Sequence, residues 1–264
     1  MDAIVHCHSC LVPVDAMAPG VRVLYVFVGI AFDAAHLCAT VRANFPPGAR
    51  LALAGTIQFA GALAAARAEL APDFPRLGVP QAKPLSPGEV LGCTAPALAP
   101  GEVDAIVFVA DGRFHLEAIM IRNSGVPAFR YDPYGKVMTA EAYDVAGMAG
   151  ARRRAVAAAA EAAAAPAQGR RPWGLVLGTL GRQGSPAVLD RLAAALDAAG
   201  VAHFTVLLGE VSAQKLAAFG GGGVVGAWVQ VACPRLSIDW GEGLADAVGA
   251  PVLTPFEAHA ALGL

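Results

Sequence analysis

Three loops carry the residues whose types and spacing point to chemistry. In Leu91-Gly92-Cys93-Thr94-Ala95-Pro96 a cysteine stands just after a glycine and shortly before a proline, a frame for a tight loop that exposes a thiol. In Ala232-Cys233-Pro234-Arg235-Leu236-Ser237-Ile238-Asp239-Trp240 a second cysteine follows an apolar run, which Pro234 stops and turns. Arg235 and Asp239 are polar groups in otherwise apolar surroundings. Gly178-Thr179-Leu180-Gly181-Arg182-Gln183-Gly184 follows another apolar run and opens a helix. Its glycines let the backbone approach a ligand, and a helix N-terminus favours an anionic group such as a carboxylate. Each loop also has a plainer reading. Free cysteines are among the most buried residues, Arg235 and Asp239 can be a simple ion pair, and a G-x-x-G-x-x-G turn fits any nucleotide or none.

Other polar clusters are weaker signals. His6-Cys7-His8-Ser9-Cys10 is dense in metal-binding types, but its C-x-x-C has no second pair at zinc-site spacing. Asp111-Gly112-Arg113-Phe114-His115 and Tyr131-Asp132-Pro133-Tyr134 each follow an apolar run, where they reach a strand end and a cleft. His115 has the chemistry of a base, though a lone histidine is more often structural.

The elements that position these loops alternate in type. Continuous β-branched or apolar runs at 21–28, 51–55, 104–109 and 126–129 read as buried parallel strands. Helical spacing covers 32–45, 57–70 and 114–121, and a short apolar stretch at 77–79 leads into a proline-rich loop. After an alanine-rich helix at 141–165 and a linker at 166–172 the pattern restarts. Strands at 173–178, 204–208 and 227–232 enclose helices at 186–199 and 212–219, with Ser185 as N-cap, Pro186 at the first helical position and a turn at 220–223. Strand–helix alternation with short connections gives an α/β fold of repeated parallel-sheet units.

Two complete units are expected, 21–140 with Cys93 and 141–264 with Cys233. Residues 1–20 read as the remnant of a third. Asp2-Ala3-Ile4-Val5 recurs letter for letter at Asp104-Ala105-Ile106-Val107, and Cys93 precedes the second copy. By that repeat logic a matching cysteine belongs ahead of the first copy, so the expectation is a three-unit protein lacking the front of its first unit.

The bulk composition narrows the function classes. Hydrophobic residues make up 56% and charged residues 15% of 264, so an ordered core is expected. A net charge of −2 gives no basic field for nucleic acid or an anionic membrane. No uncharged apolar run is long enough to span a bilayer, and the first ten residues are not a secretory signal, so the expected compartment is the cytoplasm. Five widely spaced cysteines without a secretion signal argue against a disulfide framework and leave buried thiols or metal ligands.

Six segments together resemble one family. His8-Ser9-Cys10-Leu11, the tract 80–93 (PQAKPLSPGEVLGC), 111–115 (DGRFH), 131–134 (YDPY), 173–186 (WGLVLGTLGRQGSP) and 228–240 (WVQVACPRLSIDW) are similar, in order and across essentially the whole chain, to the 2-(3-amino-3-carboxypropyl)histidine synthases of diphthamide biosynthesis, in their eukaryotic subunit 1 branch. The resemblance implies three homologous α/β units, each giving one cysteine to a 4Fe–4S cluster whose open iron binds S-adenosylmethionine. It implies transfer of a 3-amino-3-carboxypropyl group, as a radical, to a histidine of elongation factor 2, with methylthioadenosine released. The implied partners are a second synthase subunit, elongation factor 2 and an electron-donor protein.

Motif by motif, Cys93 and Cys233 carry over as the second and third cluster ligands, meeting at one cluster despite their separation in sequence. Thiolates suit iron–sulfur chemistry, and three of them leave one iron open. Gly178, Thr179, Gly181, Arg182 and Gln183, with Arg235 and Asp239, are the expected S-adenosylmethionine contacts. The first ligand does not carry over, because its segment lies ahead of Met1. Cys10 matches a family cysteine that is not a ligand, and Cys7 stands where the family has a Tyr-Gly pair. The expectation is therefore that the chain by itself holds little cluster, the rival being that Cys7 replaces the missing ligand. Two other functions compete: a non-catalytic scaffold subunit, and a dinucleotide-binding oxidoreductase in which Glu210 serves the ribose.

Overall fold

The structure is a computed structural model that describes residues 3–7, 22–26, 28–180 and 183–264. The chain divides into two compact units, Met1–Val145 and Ala146–Leu264. Both are α/β with mostly parallel sheets, as the alternation of runs requires. Among the described residues no helix is long and apolar enough to cross a membrane.

The first unit contains two sheets. Strands β1 (Ala3–Cys7) and β2 (Arg22–Val26) pair in parallel, Ala3 opposite Arg22 through Cys7 opposite Val26. The copied Ala-Ile-Val is thus strand in both places, at Ala3–Val5 and Ala105–Val107, but β2 joins the leading strand and not the larger sheet of the unit that the sequence reading gave it to. That larger sheet has the order β3 (Leu51–Gly55), β4 (Ala105–Val109), β5 (Ala128–Asp132), β6 (Val137–Glu141). Every residue of β3 and β4 is buried, because helices cover both faces. Leu37, Leu53, Leu63 and Val107 pack on one side, Ile106, Phe108, Leu116 and Ile119 on the other. Each such side chain contributes about 1.5–3 kcal/mol on leaving water. Helices α1 (Ala34–Asn44), α2 (Ala60–Leu70, after a 3-10 turn at Ile57–Phe59) and α3 (Phe114–Arg122) supply these layers.

Two departures from the sequence reading lie here. Strand β5 begins two residues later than the apolar run, and β6 follows it antiparallel as a hairpin. The turn is built by Asp132, whose Oδ1 accepts from the backbone N–H of Tyr134 (2.9 Å) and Gly135 (3.1 Å). Tyr131-Asp132-Pro133-Tyr134 is therefore a strand end and a side-chain-stabilised turn.

The second unit has one sheet, in the order β10 (Val252–Leu253), β9 (Trp228–Val231), β7 (Trp173–Gly178), β8 (His203–Leu208), all parallel. The long helix α4 (Val145–Ala164), α5 (Pro186–Ala198) and α8 (Pro255–Ala261) form one layer. Helices α6 (Ala213–Gly220) and α7 (Arg235–Val248) form the other. Strand β7 occupies 173–178 as read from sequence. Ser185 sits at the N-cap of α5 without a side-chain capping bond. Helices α7 and α8 and strand β10 were not read from sequence. Gly241 and Gly243 weaken the helical signal of α7. The first of them is a packing requirement, since a Cβ on Gly241 would lie 2.3 Å from Nη1 of Arg152.

Candidate functional site

In the first unit the chain returns to the carboxyl ends of β3 and β4 before forming the Cys93 turn. Val90 N–H donates to the carbonyl of Gly55, the last residue of β3, at 3.1 Å. Leu91 and Thr94 then close the turn through reciprocal backbone bonds of 2.9 and 3.2 Å. Gly92 lies against the ring of Phe114, the first residue of α3, and a Cβ there would sit 2.1 Å from the ring. Cys93 is left at the tip, exposed, with its Sγ 3.7 Å from the Thr94 hydroxyl. The residues that follow are anchored by Asn123, which is buried just past α3. Its Oδ1 accepts from Leu98 N–H (2.7 Å) and its Nδ2 donates to the carbonyl of Pro96 (3.0 Å).

In the second unit the chain order reverses about β7: β8 lies on one side of it and β9 on the other. The carboxyl ends of β7 and β9 therefore flank a topological switch point, the position where open α/β sheets bind ligands. Both loops the sequence singled out emerge there. Gly178 ends β7 with no room for a side chain, since a Cβ would meet that of Ala232 at 2.6 Å. Gly184 folds back onto Gly178, where a Cβ would lie 2.0 Å from the Gly178 carbonyl oxygen. Thr179 N–H donates to the Leu208 carbonyl at 2.9 Å. Gly181 and Arg182 lie outside the described residues. Cys233 follows two residues after β9 and is part-buried and free of any disulfide.

Arg235 opens α7 and is buried, at 3% exposure, with Nε 2.9 Å and Nη2 2.8 Å from the Asp239 carboxylate one turn on. The two residues are thus a close ion pair. A cation in the first turn of a helix opposes the helix dipole, and Asp239 offsets it. A cavity of about 910 Å³ opens beside this edge, lined by Gln183, Ser185, Ala232, Pro234 and Ile238 together with residues of α4 and α8. Gln183 faces it, whereas Gly178, Thr179, Arg235 and Asp239 do not line it.

The remaining cysteines separate by environment. Cys38 lies wholly inside the first unit, donates to the Ala66 carbonyl, and is pushed up to about 11 by burial and then by the nearby Glu69 charge. It is a packing thiol. Cys7 ends β1, and Cys10 lies outside the described residues. No group of three or more metal-binding side chains gathers among the described residues. Arg113 of the DGRFH segment is engaged structurally, within 3.5 Å of Glu117 and 3.0 Å of Glu141. Glu210 is exposed and paired with Lys215 at 2.9 Å.

Sequence reasoning missed a buried polar network behind Cys233. Arg152 of α4 reaches Glu257 of α8 through Nε and Nη2, both at 2.7 Å, and donates to the carbonyls of Ser237 and Val252. Glu257 closes a capping box with Thr254. Burial pushes its carboxyl up, but the Arg152 guanidinium and the Thr254 N–H outweigh this and hold it below its usual range. The T-x-x-E of Thr254–Glu257 is the sequence signal that marks this helix start.

Comparison with known proteins agrees with this architecture. A family model described as a putative diphthamide synthesis protein matches residues 1–264. The chain is 54% identical over 263 residues to 2-(3-amino-3-carboxypropyl)histidine synthase subunit 1 of Gallus gallus, covering 99% of this chain and 60% of that protein. It is 52% identical over 262 residues to the Homo sapiens subunit 1, covering 99% and 56%, and 46% identical over 270 residues to that of Schizosaccharomyces pombe, covering 100% and 58%. The chain thus spans 56–60% of the length of these relatives. A crystal structure of Dph2 from Pyrococcus horikoshii with a 4Fe-4S cluster shares the fold, with a TM-score of 0.70 and 23% identity over 99% of this chain and 71% of that one. The fold, the whole-length family match and relatives of one name lead to one conclusion: this chain belongs to the diphthamide synthesis family.

Proposed function

We propose that this chain acts in the first step of diphthamide synthesis, transferring a 3-amino-3-carboxypropyl group from S-adenosylmethionine to a histidine of elongation factor 2. The names of its relatives describe that modified histidine. The observation that carries the reading is the contrast among the thiols. Cys93 is exposed at the tip of a closed turn, Cys233 is part-buried behind β9, and Cys38 is sealed in the core.

Two soft donors on loops at the carboxyl ends of parallel strands fit an iron–sulfur cluster. Cys93 and Cys233 would hold it, with a third thiolate completing the set; Cys7 at the end of β1 is one candidate. When bound, a 4Fe–4S cluster supplies the electron that breaks a carbon–sulfur bond of S-adenosylmethionine. The chain's own part is placement. Thr179 and Gln183 flank the switch-point crevice on one side, with the backbone of Gly181 and Arg182 between them in sequence, and the N-terminus of α5 favours the methionine carboxylate. On the other side Arg235 would meet the carboxylate from the first turn of α7, in exchange for part of its pairing with Asp239. Holding the sulfonium in one orientation selects which of its three bonds is cleaved. A second synthase subunit, an electron-donor protein and cytoplasmic elongation factor 2 complete the reaction in this reading.

The test is anaerobic reconstitution with iron and sulfide, read by electron paramagnetic resonance of the reduced sample and by bound iron. Cys93→Ala and Cys233→Ala each remove most of the iron that the unaltered chain retains, and Cys38→Ala leaves it in place. Retention of the full signal by either of the first two variants refutes the ligand pair. Cys7→Ala reports whether that residue supplies the third thiolate.

A further inference from the structure

The central residue of interest is Gln230, a carboxamide in the middle of β9. Its strand neighbours are apolar, and it is buried to 1% exposure on the face that carries Trp228, Leu244 and Val248. An amide on such a face costs stability unless its bonds are made. Its Nε2 donates to two oxygens: the backbone carbonyl of Cys233 at 2.9 Å and the hydroxyl of Ser237 at 3.0 Å. The Cys233 carbonyl only accepts, so the NH2 end of the amide must face it. Among the described residues no donor reaches Gln230 Oε1. The side chain therefore stands in the core for its two N–H bonds.

The Cys233 carbonyl already accepts the backbone N–H of Leu236 at 3.0 Å. The amide does not rescue an orphan group; it adds a second, fixed direction to a carbonyl that has a partner. Fixing that carbonyl fixes the peptide plane after Cys233, and with it the place of the Cα that carries the thiol. The anchor itself is held from behind, because Ser237 O accepts from Arg152 Nη1 at 2.9 Å. The corresponding carboxamide of the first unit, Asn123, works differently. It grips Pro96 and Leu98, beyond the cysteine, and leaves the Cys93 carbonyl alone.

We propose that Gln230 is a positioning residue for Cys233: its buried amide holds the cysteine's peptide and so restricts where the loop can carry the thiol. The proposal rests on the reading of Cys233 as a cluster ligand for its purpose, but the tether itself is testable in the chain without iron.

The perturbation is Gln230→Met, which keeps the volume and removes the donor. The readouts are the alkylation rate of Cys233 by iodoacetamide, resolved by peptide mass spectrometry, and amide hydrogen exchange over 233–237. Cys233 alkylation and local exchange rise by about fivefold, while Cys93 alkylation stays within about twofold, since opening is confined to one loop. Ser237→Ala removes the amide's other partner and leaves the Cys233 carbonyl bonded, so it moves Cys233 alkylation by less than about twofold. If Gln230→Met does not fold, Gln230→Asn keeps the amide but withdraws it by about 1.5 Å, one carbon–carbon bond, and gives the same local signature. A Cys233 rate unchanged in the folded variant overturns the proposal. So does an equal rise in Ser237→Ala, or exchange that rises uniformly across the second unit. Iron retention separates the two ideas. If Cys233→Ala keeps its iron, the ligand reading fails while the tether, measured without iron, stands. If Cys233→Ala loses iron and Gln230→Met alkylates at the unaltered rate, the ligand reading stands and this inference falls.

Discussion

Replacing Glu257 by Gln removes the anion of a buried ion pair while keeping the size of the side chain. Arg152 and Glu257 side chains are only 10% and 12% exposed. The guanidinium makes four bonds, two to Glu257 and two to the carbonyls of Ser237 and Val252. In Glu257→Gln the cation loses its counter-charge, and the Thr254 N–H that donates to Oε2 at 2.7 Å then competes with an NH2 group or an amide oxygen already engaged. Leaving one charge of a buried pair uncompensated costs roughly 3–5 kcal/mol, and the low end applies here because two neutral carbonyls still hold Arg152. For a unit of about 120 residues that is a fall in melting temperature of about 10–15 °C.

All three tryptophans, Trp173, Trp228 and Trp240, lie in this unit, and the first two are fully buried. Tryptophan fluorescence during urea unfolding therefore reports this unit alone, and linear extrapolation gives the loss. Arg152→Met combined with Glu257→Leu is expected to cost less than Glu257→Gln alone, because no charge is stranded. The pH dependence has a definite sign. The folded carboxyl of Glu257 lies below its usual range, so the pair's contribution is complete above the ordinary carboxylate range and is lost as pH falls through the depressed value. A loss under about 1 kcal/mol in Glu257→Gln would refute this reasoning. It would mean that the carbonyls alone satisfy the guanidinium.

Gly92→Ala forces a Cβ against Phe114, and is expected to destabilise the first unit by about 1–3 kcal/mol, seen as faster exchange of β3 and β4 amides and largely relieved by adding Phe114→Ala. The Asp104 carboxyl, held down to about 2 by the Arg50 guanidinium and the Arg50 backbone N–H, is expected to titrate there by NMR and to return toward the ordinary range in Arg50→Ala. Its stabilising effect is complete above that ordinary range and lost as pH falls toward 2. At pH 8 iodoacetamide is expected to label Cys93 and to spare Cys38 until the chain is unfolded, since burial keeps the Cys38 thiol protonated. Arg235→Ala is expected to weaken S-adenosylmethionine binding while the iron–sulfur absorption persists; loss of the absorption instead would show that the Arg235–Asp239 pair only holds the loop.

Much of the fold was legible because it rests on local pattern. Leu51–Gly55 and Trp173–Gly178 are continuous apolar runs, and burial on both faces makes such runs strands of a parallel sheet. What escaped was set by contacts distant in sequence. One of the two glycines that hide α7, Gly241, is explained by Arg152, 89 positions earlier in the chain numbering. Strand β6 alternates only weakly and depends on the Asp132 turn. Helix α8 did carry a local signal, the capping box at Thr254–Glu257. The pairing of β2 with β1 could not be read at all, since an apolar run states that a strand exists and not which strand it joins.

The candidate site divides along the same line. Residue type and spacing located Cys93, Cys233 and the glycine-rich loop, because glycine and proline mark turns wherever they stand. They could not rank the thiols. Cys38 sits in a helix with ordinary spacing, and only its burial and its bond to Ala66 remove it from consideration. Cys7 and Cys10 form the densest cysteine pair in the sequence, and Cys10 lies outside the described residues. What distinguishes Cys93 and Cys233 is that each stands on a loop that other residues hold. One turn is closed by Leu91 and Thr94 and packed on Phe114; the other is held by Gln230 and Arg152 through Ser237. A loop held in shape by its neighbours can present a thiol in one place, which is what a metal centre requires of its ligand.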